Sequence, residues 1–208
     1  MRVVIGLTGA SGVIYGLRTI QVLSKVKEVN ELNVILSRNF IKVSEIECLG
    51  KDELIKFIRR FTSSIYFDDD LQSPLASSSY IVDAVVITPC SLKTLSDIAN
   101  SRPDTLISRS AVNALRLRRK VVLVLRETPL STIDLLNALK ASIAGAVILP
   151  ASPAFYHDPK NIQDLIDFIV GKILDVLGIS HELYRRWTGL RGRSVTRGGS
   201  LCAQLFSL

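Results

Sequence analysis

The chain has 208 residues, 48% hydrophobic and 22% charged, with a mean hydropathy of +0.32. That supplies one globular core without disulfide staples, and Lys or Asp interrupts every apolar run short of the roughly 20 residues of a membrane span. Of the net charge of +7, five arginines beyond Glu182 (Arg185, Arg186, Arg191, Arg193 and Arg197) carry all but +2; the body is nearly neutral, its aromatics do not interleave with basic residues, and a nucleic-acid surface is not expected.

The start, MRVVIGLTGASG, enters a strand pattern at Arg2–Leu7 with no signal-peptide core. A helical pattern follows from Ser11 to about Lys27, then a strand over Leu32–Ser37 and helical segments to about Phe61. Asp68–Asp70 reads as a solvated turn rather than a cation site. Further strands are expected at Asp83–Thr88, Lys120–Leu125 and Ala146–Leu149, with helices over Ser91–Asn100, Leu106–Arg118, Ser131–Ile143 and about Asn161–Leu177. Pro150–Pro159 is too proline-rich for helix or central strand. Apolar strands alternating with helices predict a doubly wound α/β fold, a parallel sheet covered on both faces. One domain over 1–187 is expected, followed by a basic arm over 188–208. Cys48, Cys90 and Cys202 are scattered and form no CxxC, which fits a reducing cytoplasm and no metal.

Doubly wound sheets bind ligands beyond the carboxyl ends of their strands, so the residues there carry the functional reading. After the first strand come Gly6-Leu-Thr8-Gly9-Ala10-Ser11-Gly12, a tight turn into a helix whose free N–H groups suit a phosphate. The third small residue of a dinucleotide loop is replaced by Tyr15. Ser37-Arg38 ends the second strand and suits a 2′-phosphate, and Tyr156 and Lys160 have the YxxxK spacing, so an NADP oxidoreductase is a competing reading. Pro159 argues against the single helix turn that the YxxxK pair needs. After the third expected strand, Asp83–Thr88, Ser91-Leu92-Lys93-Thr94 places two hydroxyls three apart at a helix start, while Cys90 reads as a packing residue. Arg126-Glu127 stands at the end of KVVLVL before a Pro-opened helix, where a guanidinium fork suits planar or phosphate groups.

Five segments together resemble the UbiX-type flavin prenyltransferases: GLTGASGVIYGLR, VVITPCSLKTLSDIA, VVLVLRETPLS, PASPAFYHDP and Arg186-Trp187. The resemblance covers about residue 2 to Trp187 and implies a flavodoxin-like or Rossmann-like FMN protein, usually a dodecamer. It implies transfer of a dimethylallyl group from dimethylallyl monophosphate to reduced FMN, the product serving a UbiD-type decarboxylase. It implies that Gly9, Ala10, Ser11, Ser37, Ser91, Leu92, Lys93, Thr94 and Arg126 hold FMN. Glu47 matches the catalytic glutamate; Tyr156, Arg109, Arg116, Glu127 and Lys172 match positions around the prenyl phosphate, and Trp187 an aromatic beside the allyl group. Arg116 stands where Lys is common and Lys172 where Arg is common, and Val112 replaces the aspartate of the RAADV run. A second flavoprotein relative, one that decarboxylates cysteine peptides, carries an asparagine-rich signature and an active-site His not evident here.

Overall fold

Residues 1–189 are described by a computed structural model, and they divide into two units, Met1–Ala151 and one beginning at Ser152. The basic arm expected over 188–208 therefore lies, from residue 190 on, outside the described residues.

In the first unit β1 (Arg2–Leu7), β2 (Glu31–Leu36), β3 (Ile65–Phe67), β4 (Ala84–Cys90), β5 (Lys120–Leu125) and β6 (Ala146–Pro150) form one sheet in the order β3-β2-β1-β4-β5-β6. Every pairing is parallel. The order reverses between β1 and β4, which is where such a sheet opens a crevice at its carboxyl edge.

The helices are α1 (Val13–Leu23), α2 (Arg38–Glu47), α3 (Lys51–Arg59), α4 (Leu92–Ala99), α5 (Leu106–Arg116) and α6 (Thr132–Ile143). Successive strand residues point to opposite faces. A Cβ on Gly6 would meet Ile107 of α5 at 2.9 Å, and Leu7, its neighbour, lies against Gly16 of α1, so α1 and α5 cover opposite faces. One core gathers Val4, Ile35, Val85, Ile87, Val121 and Leu123 under Leu95, Ile98, Leu106 and Ile107 of α4 and α5.

Apart from β3, which the sequence reading did not include, the observed strands and helices sit within a few residues of those expected. β3 has only three residues at a sheet edge, too few for a period to register. β4 runs on to Cys90 because pairing resumes at Cys90–Leu125 after a register shift; Pro89 has no N–H for the ladder. The stretch to Phe61 breaks at Leu49-Gly50, where Ser44 Oγ donates to the Leu49 carbonyl. α6 starts at Thr132 under a Ser131 capping box, not at Pro129. In the Asp68–Asp70 turn, Asp69 and Asp70 are exposed, whereas Asp68 accepts the Ile107 N–H at 2.9 Å and so caps α5.

Among its described residues the second unit holds one helix, α7 (Ile162–Leu177), opened by an Asn161 capping box and closed by Gly178 in the left-handed region at φ 77. Residues 152–161 precede it without helix or strand, as the prolines dictate.

Candidate active site

The crevice at the sheet reversal is built by backbone economy. Thr8, buried at the end of β1, donates its hydroxyl to the Pro89 carbonyl at 2.7 Å and accepts the Ser91 N–H at 2.8 Å, tying β1 to β4. Ser37 caps α2, accepting the Phe40 N–H at 3.0 Å, and Ser91 caps α4 with its hydroxyl 3.0 Å from that of Thr94. Two helix N-termini thus open on one hollow of about 360 Å³, within the range of small-molecule sites. Lys93 lines it and pairs with Asp97 at 2.6 Å; Leu92 packs inward on the core. Gly9 is required there, since a Cβ would stand 2.4 Å from the Asn39 Cβ. Ala10 closes the turn by donating its N–H to the Thr8 carbonyl at 2.8 Å. The small residue between helix and strand, absent at Tyr15, is found one place on: a Gly16 Cβ would lie 2.6 Å from the Thr88 oxygen.

The N-terminus of α1 does meet an anion, but not an open site for phosphate. Glu47, at the end of α2, sets one carboxylate oxygen 2.9 Å from the Gly12 nitrogen and 3.0 Å from that of Val13, and the positive end of α1 favours the charge. Burial alone raises its pKa; hydrogen bonds from the Ser11 side chain and the Val13 and Gly12 amides, with the charge of Arg126, outweigh this and hold it below the usual glutamate value. Arg126 donates Nε to the Ser11 carbonyl at 3.0 Å. Ser11, Glu47 and Arg126, far apart in sequence, form one cluster. Glu127 turns aside and accepts the Thr128 N–H at 3.1 Å.

Of the two arginines on α5, Arg109 lies one turn from the crevice rim at Thr105, with Nε buried and no hydrogen-bond partner among the described residues. Arg116 is exposed at the other end of the helix, about 16 Å along its axis, beside the amino ends of the strands, and donates to the Asn113 side chain at 3.1 Å. Within one chain it is not brought to the Glu47 cluster. Val112 is 5% exposed, apolar where a carboxylate was expected to be missing.

The second unit brings together Tyr156, Lys172 and Trp187. The Tyr156 and Trp187 rings meet edge-on at 5.7 Å, and Tyr156 meets Phe168 at 5.9 Å. The Lys172 ammonium stands 5.4 Å over the Phe168 ring and 5.0 Å over that of Tyr184. A hydrogen bond to Tyr184 holds its pKa above the usual lysine value against the opposing effect of burial.

The oxidoreductase reading fails here. Tyr156 and Lys160 lie outside any helix, Lys160 pairs with Asp158 at 2.7 Å, and exposed Arg38 pairs with Asp69 at 2.7 Å. Cys90 is fully buried, and desolvation pushes its thiol up to about 12, which suits packing and not nucleophilic work. Sequence reading missed the crevice walls at Asp68 and Thr105, which only the tertiary fold brings to Ser37 and Ser91.

Comparison with known proteins decides the family. A family model described as Flavoprotein matches residues 1–174. A flavin prenyltransferase UbiX of Saccharolobus solfataricus is 47% identical over 190 residues, covering 90% of this chain and 92% of that protein. The chain belongs to the UbiX-type flavin prenyltransferases. Solved structures of the family agree. AnUbiX (PadA1), in complex with FMN and dimethylallyl pyrophosphate, superposes with a TM-score of 0.83 at 35% identity, covering 91% of this chain and 98% of that one. A dodecameric FMN-dependent UbiX-like decarboxylase from Escherichia coli O157:H7 gives 0.85 at 33% identity, covering 91% and 100%. In this UbiX-type chain no helix of the described residues is long and apolar enough to cross a membrane.

Proposed function

We propose that the protein transfers a dimethylallyl group from dimethylallyl monophosphate to reduced FMN, making prenylated FMN for a UbiD-type decarboxylase in the cytoplasm. The observation that carries this is the Ser11–Glu47–Arg126 cluster beside a hydroxyl-lined crevice at the sheet reversal. The residues fit FMN: Ser37, Ser91, Lys93 and Thr94 offer donors at two helix N-termini, and Gly9 and Ala10 let a planar group approach the backbone; the orphaned buried Nε of Arg109 suits the prenyl phosphate. Residues 1–187 act as the FMN-binding domain. The asparagine-rich signature of the cysteine-peptide decarboxylases is not evident in this sequence.

Reduced FMN supplies the nucleophilic nitrogen and the neighbouring aromatic carbon that the C5 group joins. Breaking the allyl–phosphate bond develops positive charge on carbon and negative charge on phosphate. Arg126, Arg109 and Lys172 stabilise the phosphate, and Tyr156 donates a hydrogen bond to it. The Trp187 ring face favours the allylic cation. Glu47, kept ionised by its amide contacts, takes the proton released as the new ring closes. Glu127 stands next to Arg126 at the strand end. Arg116 reaches a phosphate only if a second copy of the chain presents it.

Purified protein given reduced FMN and dimethylallyl monophosphate is expected to yield a flavin one C5 unit heavier by mass spectrometry. Unchanged FMN, with the protein folded and FMN bound, refutes the reading.

The protein works as a homo-oligomer, a dodecamer as in the Escherichia coli relative. α6 supports this: Ile133, Leu135, Leu136, Leu139 and Ile143 are all exposed, Ile143 at 77%. Burial of such side chains is worth about 1.5–3 kcal/mol each, and patches of this kind mark interfaces. Charging the face with L136E and I143E is expected to lower the sedimentation coefficient to that of a smaller species; an unchanged value places the interface elsewhere.

A further inference from the structure

The residues that follow α7 fold back onto it around one carboxylate that the reaction scheme above does not use. Asp175 accepts from His181 Nε2 at 3.1 Å and Arg186 Nη2 at 2.7 Å through one oxygen, and from the Tyr184 hydroxyl at 2.5 Å and Lys172 Nζ at 3.5 Å through the other. His181 Nδ1 accepts the Leu183 N–H at 3.2 Å, which leaves Nε2 to donate to Asp175. One turn earlier on the same helix face, Gly171 leaves room for the returning segment: a Cβ there would stand 2.6 Å from the Tyr184 ring and 2.7 Å from that of His181. Bare glycine and carboxylate together dock the segment that ends in Trp187.

We propose that Asp175 is a positioning residue for the prenyl phosphate. By gathering His181, Tyr184 and Arg186 it fixes the Lys172 ammonium and the Tyr156–Trp187 ring pair in the places that the ester and its allyl group require. This rests on the reading of Lys172, Tyr156 and Trp187 as substrate residues. The carboxylate itself is a poor neighbour for phosphate. Lys172 and Arg186 carry two positive charges, Asp175 one negative, and its removal leaves the surroundings more cationic. A purely electrostatic role therefore predicts tighter binding of the ester in D175N, whereas positioning predicts weaker binding. The two accounts differ in sign.

The experiment is steady-state prenylation by D175N and D175E beside the unaltered protein, with FMN affinity measured separately. Acrylamide quenching of Trp187, the single tryptophan, reads the segment directly. In D175N the KM for dimethylallyl monophosphate is expected to rise about 10-fold or more, with kcat changed less and FMN affinity kept. Quenching rises with it, and D175E recovers part of both. A KM equal to or below that of the unaltered protein overturns the proposal. Should D175N fail to fold, Y184F and R186Q each remove one donor and are expected to raise both readouts in the same direction; unaltered values in both overturn it. If the unaltered protein makes no prenylated flavin, the substrate reading falls and the positioning role falls with it. Quenching then still decides whether Asp175 holds the segment.

Discussion

Glu47→Gln is expected to lower the turnover number of prenylation by about 10²-fold or more while FMN affinity stays within a few-fold. Glutamine keeps an oxygen to accept the Gly12 and Val13 amides at 2.9 and 3.0 Å, so the geometry of the turn survives, but it cannot take a proton at ring closure. Mass-spectrometric product yield under single-turnover conditions measures it; a variant as fast as the unaltered protein removes Glu47 from the chemistry. Stability changes with pH in a defined sense. The carboxylate has a folded-state pKa below the ordinary value of 4.5. Its contribution is therefore complete above that value and is lost as the pH falls through the folded-state pKa. A charge at a helix N-terminus is worth about 0.3–1 kcal/mol when exposed. The gap in Tm between the two proteins is expected near pH 7 and should close in acid.

Gly9→Ala should damage binding and fold together. Its Cβ would sit 2.4 Å from the Asn39 Cβ and 3.1 Å from the Asn39 carbonyl carbon, and backbone cannot swing aside as a side-chain tip can. Overpacking of this kind costs about 1–3 kcal/mol, or about 3–10 °C in Tm for a chain of this length. Because Gly9 and Asn39 both line the crevice, the shift displaces the start of α2, and the Kd for FMN is expected to rise about 10-fold or more. Gly50→Ala is the control: φ is −61 and a Cβ there meets nothing within 4 Å. Equal Tm and FMN affinity in G9A and G50A would mean that the close approach at Gly9 is not needed.

Much of the first unit was legible in the chain. Runs such as KVVLVL, buried on both faces, can only be interior parallel strands, and the glycine-rich turn after β1 announces where ligand meets backbone. Glu47 shows the limit. From sequence alone it is one exposed carboxylate on a helix, and only the resemblance singled it out; the fold shows it capping α1 across 35 residues of chain. The helix end where a phosphate was expected carries this carboxylate on its Gly12 and Val13 amides. Arg116 is a second case, since spacing along a helix does not tell which end of the sheet the residue reaches.

Asp175 shows why. In sequence it is an acidic residue three places after a lysine, a spacing found on any solvated helix. Its importance comes from a segment that returns to the helix, and the return depends on Gly171 being bare and on His181 and Tyr184 fitting there. Local pattern determined the strands, the helices and the turn at Gly9, because hydrophobic period and backbone freedom are properties of neighbouring residues. Tertiary packing decided which distant side chains share a charge or a proton, because those energies depend on distances of a few ångströms that chain order does not encode.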